Sequence, residues 1–359
     1  MTSTLGRAGT DQAPTLGADL VLRAEDVSVE YTGRRPTRAV RGVSLELRRG
    51  EVLGIVGESG CGKSTLAYAL TRMLRPPARM TGGRVEYFGR DGATIDVGTL
   101  EGEELRRLRW NKVSMVFQSA MNALNPVTSV GRQFEDIFRT HRPEMDKRAR
   151  RERSAQLLEM VGIDPRRLTS FPHELSGGMR QRVVIAMALA LEPEIVIMDE
   201  PTTALDVLVQ REILDEVERL RAELGFAVVF ITHDLALLLE ISDRLAVMYA
   251  GQIVEYAPAE QVAAAPLHPY TRGLLRSFPD LRGERRDLRG IPGNPPDLRD
   301  TIPGCPFAPR CESAFEPCRD VSPVLRIPPV GAGSGPGSWP VSCHLHDPQF
   351  SAEASGGHR

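Results

Sequence analysis

The chain has 359 residues, of which 41% are hydrophobic, and a formal net charge of −2 at pH 7. This length is enough for two domains, and the apolar fraction is ordinary for a globular protein with a sizeable core. The near-neutral charge argues against a dedicated nucleic-acid-binding protein, which would carry a basic excess, so no nucleic-acid partner is expected.

Membrane-spanning and secretion signals are not expected in this sequence. Its apolar runs are far shorter than the roughly 20 residues needed to cross a bilayer. Residues 1–19 are polar, unlike a signal peptide, and predict a disordered tail. The protein should therefore be cytosolic, where its five cysteines are only a weak indication of disulfides.

The first ordered segments predict strands. Apolar residues alternate over 20–31 and 40–47, and an apolar run follows at 52–56. Tyr31 ends the first of these segments, where an aromatic ring could stack on an adenine base. An ordinary β-sheet tyrosine is the alternative.

A glycine-rich turn links the apolar run to a predicted helix that begins near Leu66. Glycines let backbone N–H groups point inward, and the helix N-terminus adds partial positive charge, so the turn predicts a polyphosphate site. Lys63 would bridge the β- and γ-phosphates, and the Ser64 hydroxyl would complete the shell of Mg²⁺. A simple connecting turn is the alternative. The turn consists of Gly57, Glu58, Ser59, Gly60, Cys61, Gly62, Lys63, Ser64 and Thr65.

The next segments lead to a polar strand end. Short strands are predicted at 82–88 and 94–97, a helix at 101–109, and a compact strand at 113–117 that ends at Gln118. Ligands bind at such strand ends, so Gln118 could reach Mg²⁺ or the attacking water, with the loop 122–126 moving beside it. A strand-end glutamine without function is equally consistent with this position.

A helical region follows, and after it comes the N-terminus of another helix, which is a second candidate anion-binding site. Helical spacing predicts a small subdomain over 126–168, with the basic stretch 141–153 as a solvated face. Ser176 is then a natural N-cap, and Gly177 and Gly178 open the backbone before an apolar helix. This helix start either converges on the first phosphate site within the chain or serves the nucleotide of a neighbouring subunit.

Two further strands end in chemically active side chains. The apolar strand from Glu194 presents Asp199 and Glu200 at its end, which predicts one carboxylate near Mg²⁺ and one near the γ-phosphate. Helix caps are the alternative. The strand at 228–232 ends at His233, which would contact the γ-phosphate, and a hairpin at 245–255 turns at 250–251.

Four cysteines cluster in the last part of the chain. Their spacing, C-x5-C-x6-C and then a fourth after a Gly/Pro/Ser-rich loop, lacks the C-x2-C pairs typical of structural zinc. It favours a structural [4Fe–4S] cluster that stabilises a segment poor in apolar residues. Zinc with His344 or His346, and unliganded thiols, are the alternatives. The cysteines are Cys305, Cys311, Cys318 and Cys343.

In this order, the motifs resemble the ATP-binding subunit of an ABC transporter. The resemblance covers residues 20–262 and implies an α/β fold: a P-loop NTPase core of ABC ATPase type, an antiparallel β subdomain and a helical signature subdomain at about 119–190. The matching motifs are the Walker A loop at 57–65, the glutamine loop at Gln118, the LSGG signature at 175–178, the Walker B residues Asp199 and Glu200, the D-loop at 204–206, the switch His233 and the A-loop aromatic Tyr31.

The resemblance also implies roles for the site residues. Two subunits pair head to tail, so that Ser176 and Gly178 of one close over the ATP held by Lys63 of the other. Glu200 acts as the base that orients water, and His233 supports it. The Mg²⁺ residues implied are Asp199, Ser64 and Gln118.

The end of the chain narrows the resemblance to bacterial oligopeptide and dipeptide permease ATPases of the D type. The matching residues are 266–272, read as PLHPYTR, and Ile291-Pro292-Gly293, within a C-terminal extension at 263–359. The implied partners are a paralogous ATP-binding subunit, two transmembrane permease subunits and an extracytoplasmic peptide-binding protein, with this chain peripheral at the cytoplasmic face of the membrane. A [4Fe–4S] cluster occurs in some members. His268 and Tyr270 are predicted to serve packing and turn formation.

Other ABC functions are the alternatives. Importers of nickel, glutathione or antimicrobial peptides are close relatives of this group. Soluble ABC ATPases of DNA maintenance or translation carry coiled-coil insertions or tandem cassettes, whereas this chain has one cassette with a short helical insert. An ABC-type scaffold for iron–sulfur assembly would treat the cluster as cargo.

Overall fold

The computed structural model describes residues 19–118, 123–203, 205–277, 290–329 and 339–350. The predicted tail up to residue 18, Asn122 of the loop after Gln118, and Ala204 of the D-loop lie outside the described residues. Within the described ranges the chain has ten strands in two sheets.

The smaller sheet is antiparallel and is formed by four early strands of the chain. Its strand order is β2-β1-β4-β5. The strands are β1 (Leu20–Tyr31), β2 (Thr37–Arg48), β4 (Ala78–Phe88) and β5 (Thr94–Asp96).

The larger sheet has six strands in the order β10-β9-β3-β8-β7-β6. All neighbours are parallel except the hairpin of the last two strands. Its inner strands are unbroken apolar runs because both faces of the sheet are covered. The strands are β3 (Val52–Val56), β6 (Val113–Val116), β7 (Ile195–Asp199), β8 (Ala227–Thr232), β9 (Arg244–Tyr249) and β10 (Gln252–Pro258).

The helices pack around these sheets. In the described part of the chain they are α1 (Lys63–Leu70), α2 (Gly102–Leu108), α3 (Val130–His141), α4 (Lys147–Met160), α5 (Gly177–Ala188), α6 (Val207–Leu224), α7 (Leu235–Ile241), α8 (Ala259–Ala264), α9 (Pro269–Arg276) and α10 (Pro317–Asp320). None of these helices is both long and apolar enough to span a membrane.

Two hydrophobic cores position the site. One lies between the two sheets and includes α1, and the other lies between the parallel sheet and the helices of its opposite face. The phosphate loop therefore leaves a strand that is buried on both sides and enters a helix wedged between the sheets.

One strand is longer than the sequence predicts. β4 begins at Ala78, four residues before the predicted start at Gly82. Gly82 and Gly83 suggest a turn, but they form an irregularity in the pairing with β1. Gly83 has a φ of +81°, and a Cβ there would lie 2.4 Å from the backbone of Asp26, so only glycine fits.

The C-terminal segment packs directly against the parallel sheet. Tyr249 of β9 contacts the rings of Tyr270 and Phe307, at centroid distances of 4.7 and 5.3 Å. The fully buried carboxylate of Glu255 accepts hydrogen bonds from the Leu267 and His268 amides and the Trp339 indole. This carboxylate thus joins β10 to the first and the last of the three described stretches of the C-terminal segment, 263–277 and 339–350.

Candidate active site

The glycine-rich turn forms a tight loop between β3 and α1. Gly62 has a φ of +105°, and a Cβ at this position would lie 2.1 Å from the Ala39 carbonyl oxygen. A Cβ on Gly57 would lie 2.2 Å from the Met248 carbonyl oxygen. The loop is thus packed against both sheets. Space excludes a side chain at Gly57 and Gly62, and the backbone conformation of Gly62 also favours glycine.

Lys63 is buried and folds back over this loop. Its ammonium donates to the carbonyl oxygens of Gly57, at 2.7 Å, and Glu58, at 3.1 Å. The hydroxyls of Thr65 and Tyr31 lie 3.0 Å apart. Tyr31 therefore reaches the first turn of α1, and the predicted phosphate loop and aromatic residue belong to one site.

Ser64 meets the carboxylate at the end of β7. Its hydroxyl donates to Asp199 Oδ1 at 3.0 Å, and Asp199 is fully buried. Burial raises the pKa of Asp199, the Ser64 hydrogen bond lowers it, and the charge of Glu200 raises it, with a net upward shift. Asp199 Oδ2 is buried and lacks a hydrogen-bond partner among the described residues. An orphaned oxygen beside a hydroxyl fits the hard oxygen ligands that Mg²⁺ requires.

Glu200 is held by its two neighbours. Its carboxylate accepts a hydrogen bond from the Thr203 hydroxyl at 2.7 Å, and His233 Nδ1 lies 3.1 Å from both carboxylate oxygens. Burial raises the Glu200 pKa, but the hydrogen bonds from Thr203 and His233 outweigh it and hold the pKa below its usual value. The group is therefore ionised at neutral pH and suited to accept a proton.

Gln118 lies apart from this cluster. It follows β6 at the same edge of the sheet, where its side chain is exposed. No hydrogen bond joins it to Ser64 or Asp199 within the described ranges. The structure thus brings Asp199, Glu200 and His233 together but leaves Gln118 outside.

The predicted second anion site begins α5. The Ser176 hydroxyl accepts from the Met179 amide at 3.3 Å, which confirms the predicted N-cap. Ser176 is exposed, and in the described part of the chain no hydrogen bond or ion pair links residues 176–178 to the loop at 57–65. The structure therefore does not support the alternative in which the start of α5 and the phosphate loop of the same chain bind one nucleotide.

The cysteines of the C-terminal segment are free thiols. Burial raises the pKa of Cys305 to about 11 and that of Cys343 to about 12, and the other thiols of the group add to both shifts. Four soft thiol donors suit iron–sulfur chemistry. However, no group of three or more His, Cys, Asp or Glu that could hold a metal ion occurs among the described residues, so the predicted centre is not confirmed.

The alternative zinc ligands have other partners. His344 Nε2 lies 2.8 Å from the Val321 carbonyl oxygen, and His346 Nε2 lies 3.0 Å from the Leu267 carbonyl oxygen. One ring nitrogen of each histidine thus contacts a backbone carbonyl within the C-terminal segment.

Sequence reasoning missed three polar partners of the site. Thr203 binds Glu200, and Arg310 and Tyr270 bind Glu58 of the phosphate loop. For Tyr270 the sequence predicts packing and turn formation, not a contact with the phosphate loop. The contact of Thr203 with Glu200 could have been predicted, because the two residues are only three apart. Arg310 lies 252 residues from Glu58, and no local sequence pattern indicates that they meet.

This fold and site define a P-loop ATPase. A phosphate loop between strand and helix lies beside two acidic residues and a histidine, at the carboxyl edge of a mainly parallel sheet.

Comparisons with known proteins specify the family. The ABC transporter family matches residues 40–203, and the oligopeptide/dipeptide transporter C-terminal region matches 254–318. The chain is 46% identical over 313 residues to a probable peptide ABC transporter ATP-binding protein, y4tR, of Sinorhizobium fredii, covering 86% of this chain and 92% of the relative.

Further relatives and a solved structure agree. The chain is 43% identical to the dipeptide transport ATP-binding protein DppD of Bacillus subtilis, over 91% of this chain and 95% of the relative. It is 42% identical to the oligopeptide transport ATP-binding protein OppD of Escherichia coli, over 87% and 91%. The dimeric cassette MJ0796 bound to ADP and Pi superposes with a TM-score of 0.58 at 30% identity, over 66% of this chain and 98% of that one.

The chain therefore belongs to the ABC transporter family of ATPases, in the branch with the oligopeptide/dipeptide transporter C-terminal region. The family resemblance and the fold class predicted from the motifs are confirmed.

Proposed function

We propose that this chain is the ATP-hydrolysing subunit of an importer for oligopeptides or dipeptides. The observation that carries the proposal is the C-terminal region at 254–318, which follows the cassette in the same chain and matches that of oligopeptide and dipeptide transporters. The names of the full-length relatives supply further support.

In the proposed site, the loop cradles the phosphates of ATP with its backbone N–H groups, and Lys63 turns from its carbonyl partners to the β- and γ-phosphates. Ser64 and Asp199 would hold Mg²⁺, which would neutralise charge on the phosphates. Gln118, which is exposed at the same edge of the sheet, is the third proposed ligand. The proposed nucleotide contacts are Tyr31, Gly57, Glu58, Ser59, Gly60, Cys61, Gly62, Lys63, Ser64, Thr65, Gln118, Ser176, Gly177, Gly178, Asp199, Glu200 and His233.

Glu200 is the proposed general base. Its ionised carboxylate orients the attacking water and accepts its proton, while His233 and Thr203 hold the carboxylate in place. His233 is also proposed to contact the γ-phosphate. The remaining assistance to phosphoryl transfer is electrostatic, from Lys63 and the loop amides.

The proposed assembly is a head-to-tail pair with a paralogous ATP-binding subunit. Ser176, Gly177 and Gly178 of one subunit cover the ATP bound by the other. The exposure of Ser176 and its lack of contact with the loop of its own chain support this arrangement. Two transmembrane permease subunits and an extracytoplasmic peptide-binding protein complete the importer, with this chain peripheral at the cytoplasmic face of the membrane.

A [4Fe–4S] cluster on Cys305, Cys311, Cys318 and Cys343 remains part of the proposal for the C-terminal segment. Its support is the four-thiol donor set, which contains no carboxylate. Iron and acid-labile sulfide should be present in near-equal amounts, about four of each per chain, in protein purified without oxygen. Zinc in their place, or neither element, would reject the cluster.

Co-purification and stimulation of ATPase activity test the function. The full-length chain, tagged and extracted from solubilised membranes, should bring with it a second ATP-binding subunit and two membrane subunits. In proteoliposomes with the binding protein, peptides should stimulate ATP hydrolysis. Stimulation by nickel or glutathione but not peptides, or recovery of soluble assembly factors without membrane subunits, would contradict peptide import.

A further inference from the structure

We propose that Arg310 and Tyr270 are positioning residues for ATP, which hold the first half of the phosphate loop in its binding conformation through Glu58. This inference goes beyond the transport function, because it concerns the nucleotide loop whatever the transported substrate.

Arg310 makes a two-point contact with Glu58. Its Nη1 lies 2.7 Å from Glu58 Oε2 and its Nη2 lies 2.9 Å from Oε1. The Arg310 side chain is 5% exposed and that of Glu58 is 26% exposed, so the pair is largely shielded from solvent. Parallel charge-assisted hydrogen bonds of this kind fix orientation as well as distance.

Arg310 is itself fixed by its surroundings. Its Nε donates to the Pro292 carbonyl oxygen at 2.8 Å, and its Nη1 lies 3.2 Å from the Tyr249 hydroxyl. Phe307, three residues earlier, packs edge-on against Tyr249. The guanidinium therefore cannot follow a displaced loop without disturbing this packing.

Tyr270 holds the backbone of the same loop residue. The Glu58 amide donates to the Tyr270 hydroxyl at 2.9 Å, and Tyr270 is fully buried. The Glu58 carbonyl accepts from the Lys63 ammonium at 3.1 Å. Glu58 is thus held at its amide, its carbonyl and its carboxylate, and two of these three partners come from the C-terminal segment.

The arrangement has a geometric and an electrostatic consequence. The carbonyls of Gly57 and Glu58 define where Lys63 rests, so their position sets the distance that its ammonium must travel to a phosphate. Arg310 also neutralises a carboxylate that lies in the loop where the anionic phosphates bind. Without the guanidinium, this charge would repel ATP.

The test measures ATP affinity and turnover separately in the full-length chain within its assembled transporter. Arg310→Gln should raise KM for MgATP about tenfold, equivalent to about 1.4 kcal/mol, while kcat changes less than twofold. Tyr270→Phe should raise KM about threefold, because it removes only the hydroxyl. Adding Glu58→Gln to Arg310→Gln should recover part of the loss, because the unpaired carboxylate is then gone.

The matched control is Arg326→Gln. Arg326 also forms a two-point pair in the C-terminal segment, with Asp347 at 3.0 and 3.1 Å, but it makes no contact with the phosphate loop. This control should leave KM and kcat unchanged. An equal rise of KM in the control would mean that general damage to the segment causes the effect, and it would overturn the proposal.

A second measurement tests the proposal if the Arg310→Gln variant does not fold. Tyr270→Phe and Glu58→Gln keep the packing of the segment, and displacement of a fluorescent ATP analogue then gives the Kd for ATP. Weaker ATP binding in Tyr270→Phe supports the proposal. Unchanged ATP affinity in a folded Tyr270→Phe variant would overturn it.

Discussion

Glu200 combines a strained backbone with a restrained side chain. It has a φ of +46°, although it is not glycine, and its amide donates to the Ile231 carbonyl oxygen of β8 at 2.8 Å. Non-glycine residues in this region cost about 1–3 kcal/mol and persist where neighbouring contacts hold them. In this conformation the carboxylate contacts Thr203 and His233.

Replacement of the proposed base should separate binding from turnover. Glu200→Gln keeps the size of the side chain but cannot accept the proton from water, so ATP hydrolysis should fall at least about a hundredfold. ATP binding should remain, and the ATP-bound pair should accumulate in size-exclusion chromatography. Turnover at the parent rate would show that another group is the base.

The pH dependence of turnover should depend on Thr203. Because the folded pKa of Glu200 is held below its usual value, the carboxylate stays ionised until the pH falls through that lowered pKa. Thr203→Val removes one hydrogen bond to the charged form, so the Glu200 pKa should rise. The acid limb of the kcat profile should move to higher pH with it, and an unmoved limb would contradict this role.

At the scale of single elements, the loop between β3 and α1 shows how space selects glycine. Gly62 and Gly60 both have positive φ angles, of +105° and +80°. A Cβ on Gly62 would strike the Ala39 carbonyl oxygen, whereas nothing lies within 4 Å of a Cβ on Gly60. Gly62 and Gly60 therefore share a backbone conformation that strains residues other than glycine, but they differ in packing.

These two glycines form a matched pair for a stability measurement. Gly62→Ala should destabilise the chain by about 2 kcal/mol or more beyond Gly60→Ala, because only the former adds a steric clash to the strain. Chemical denaturation of both full-length variants measures the difference. Equal free energies of unfolding would mean that the loop relaxes freely away from β2.

The sequence predicted the elements with strong local patterns. The buried strands β3, β7 and β8 are unbroken apolar runs, and Ser176 is an N-cap that begins α5 as expected. The early start of β4 was missed because two glycines suggest a turn more often than a bulge. Asp199 and Glu200 were located because they end an apolar run.

Long-range contacts could not be predicted in this way. The Arg310–Glu58 pair joins residues on two separate segments, and neither periodicity nor a motif indicates that they meet. Cysteine spacing predicted a metal centre, but spacing alone does not determine whether thiols converge on one point.

At the scale of the whole molecule, we propose that a second cassette completes the site of each chain. Ser176 is exposed at the N-cap of α5, and among the described residues no hydrogen bond or ion pair links it to the phosphate loop of its own chain. Val207 and Leu208, at the start of α6 next to the D-loop, are 80% and 79% exposed. Burial of these apolar side chains by a second cassette would stabilise the proposed pair.

The most direct test of this pairing uses Ser176→Arg in the assembled transporter. Ser176 is exposed, whereas a side chain on Gly178 would press on Val209, with its Cβ 2.7 Å from Val209 Cγ1, so the serine gives the cleaner variant. ATP should still bind to the loop at 57–65 of the same chain, while hydrolysis at the opposing site should fall at least about a hundredfold. Hydrolysis at the parent rate at the opposing site of the assembled variant would contradict the account.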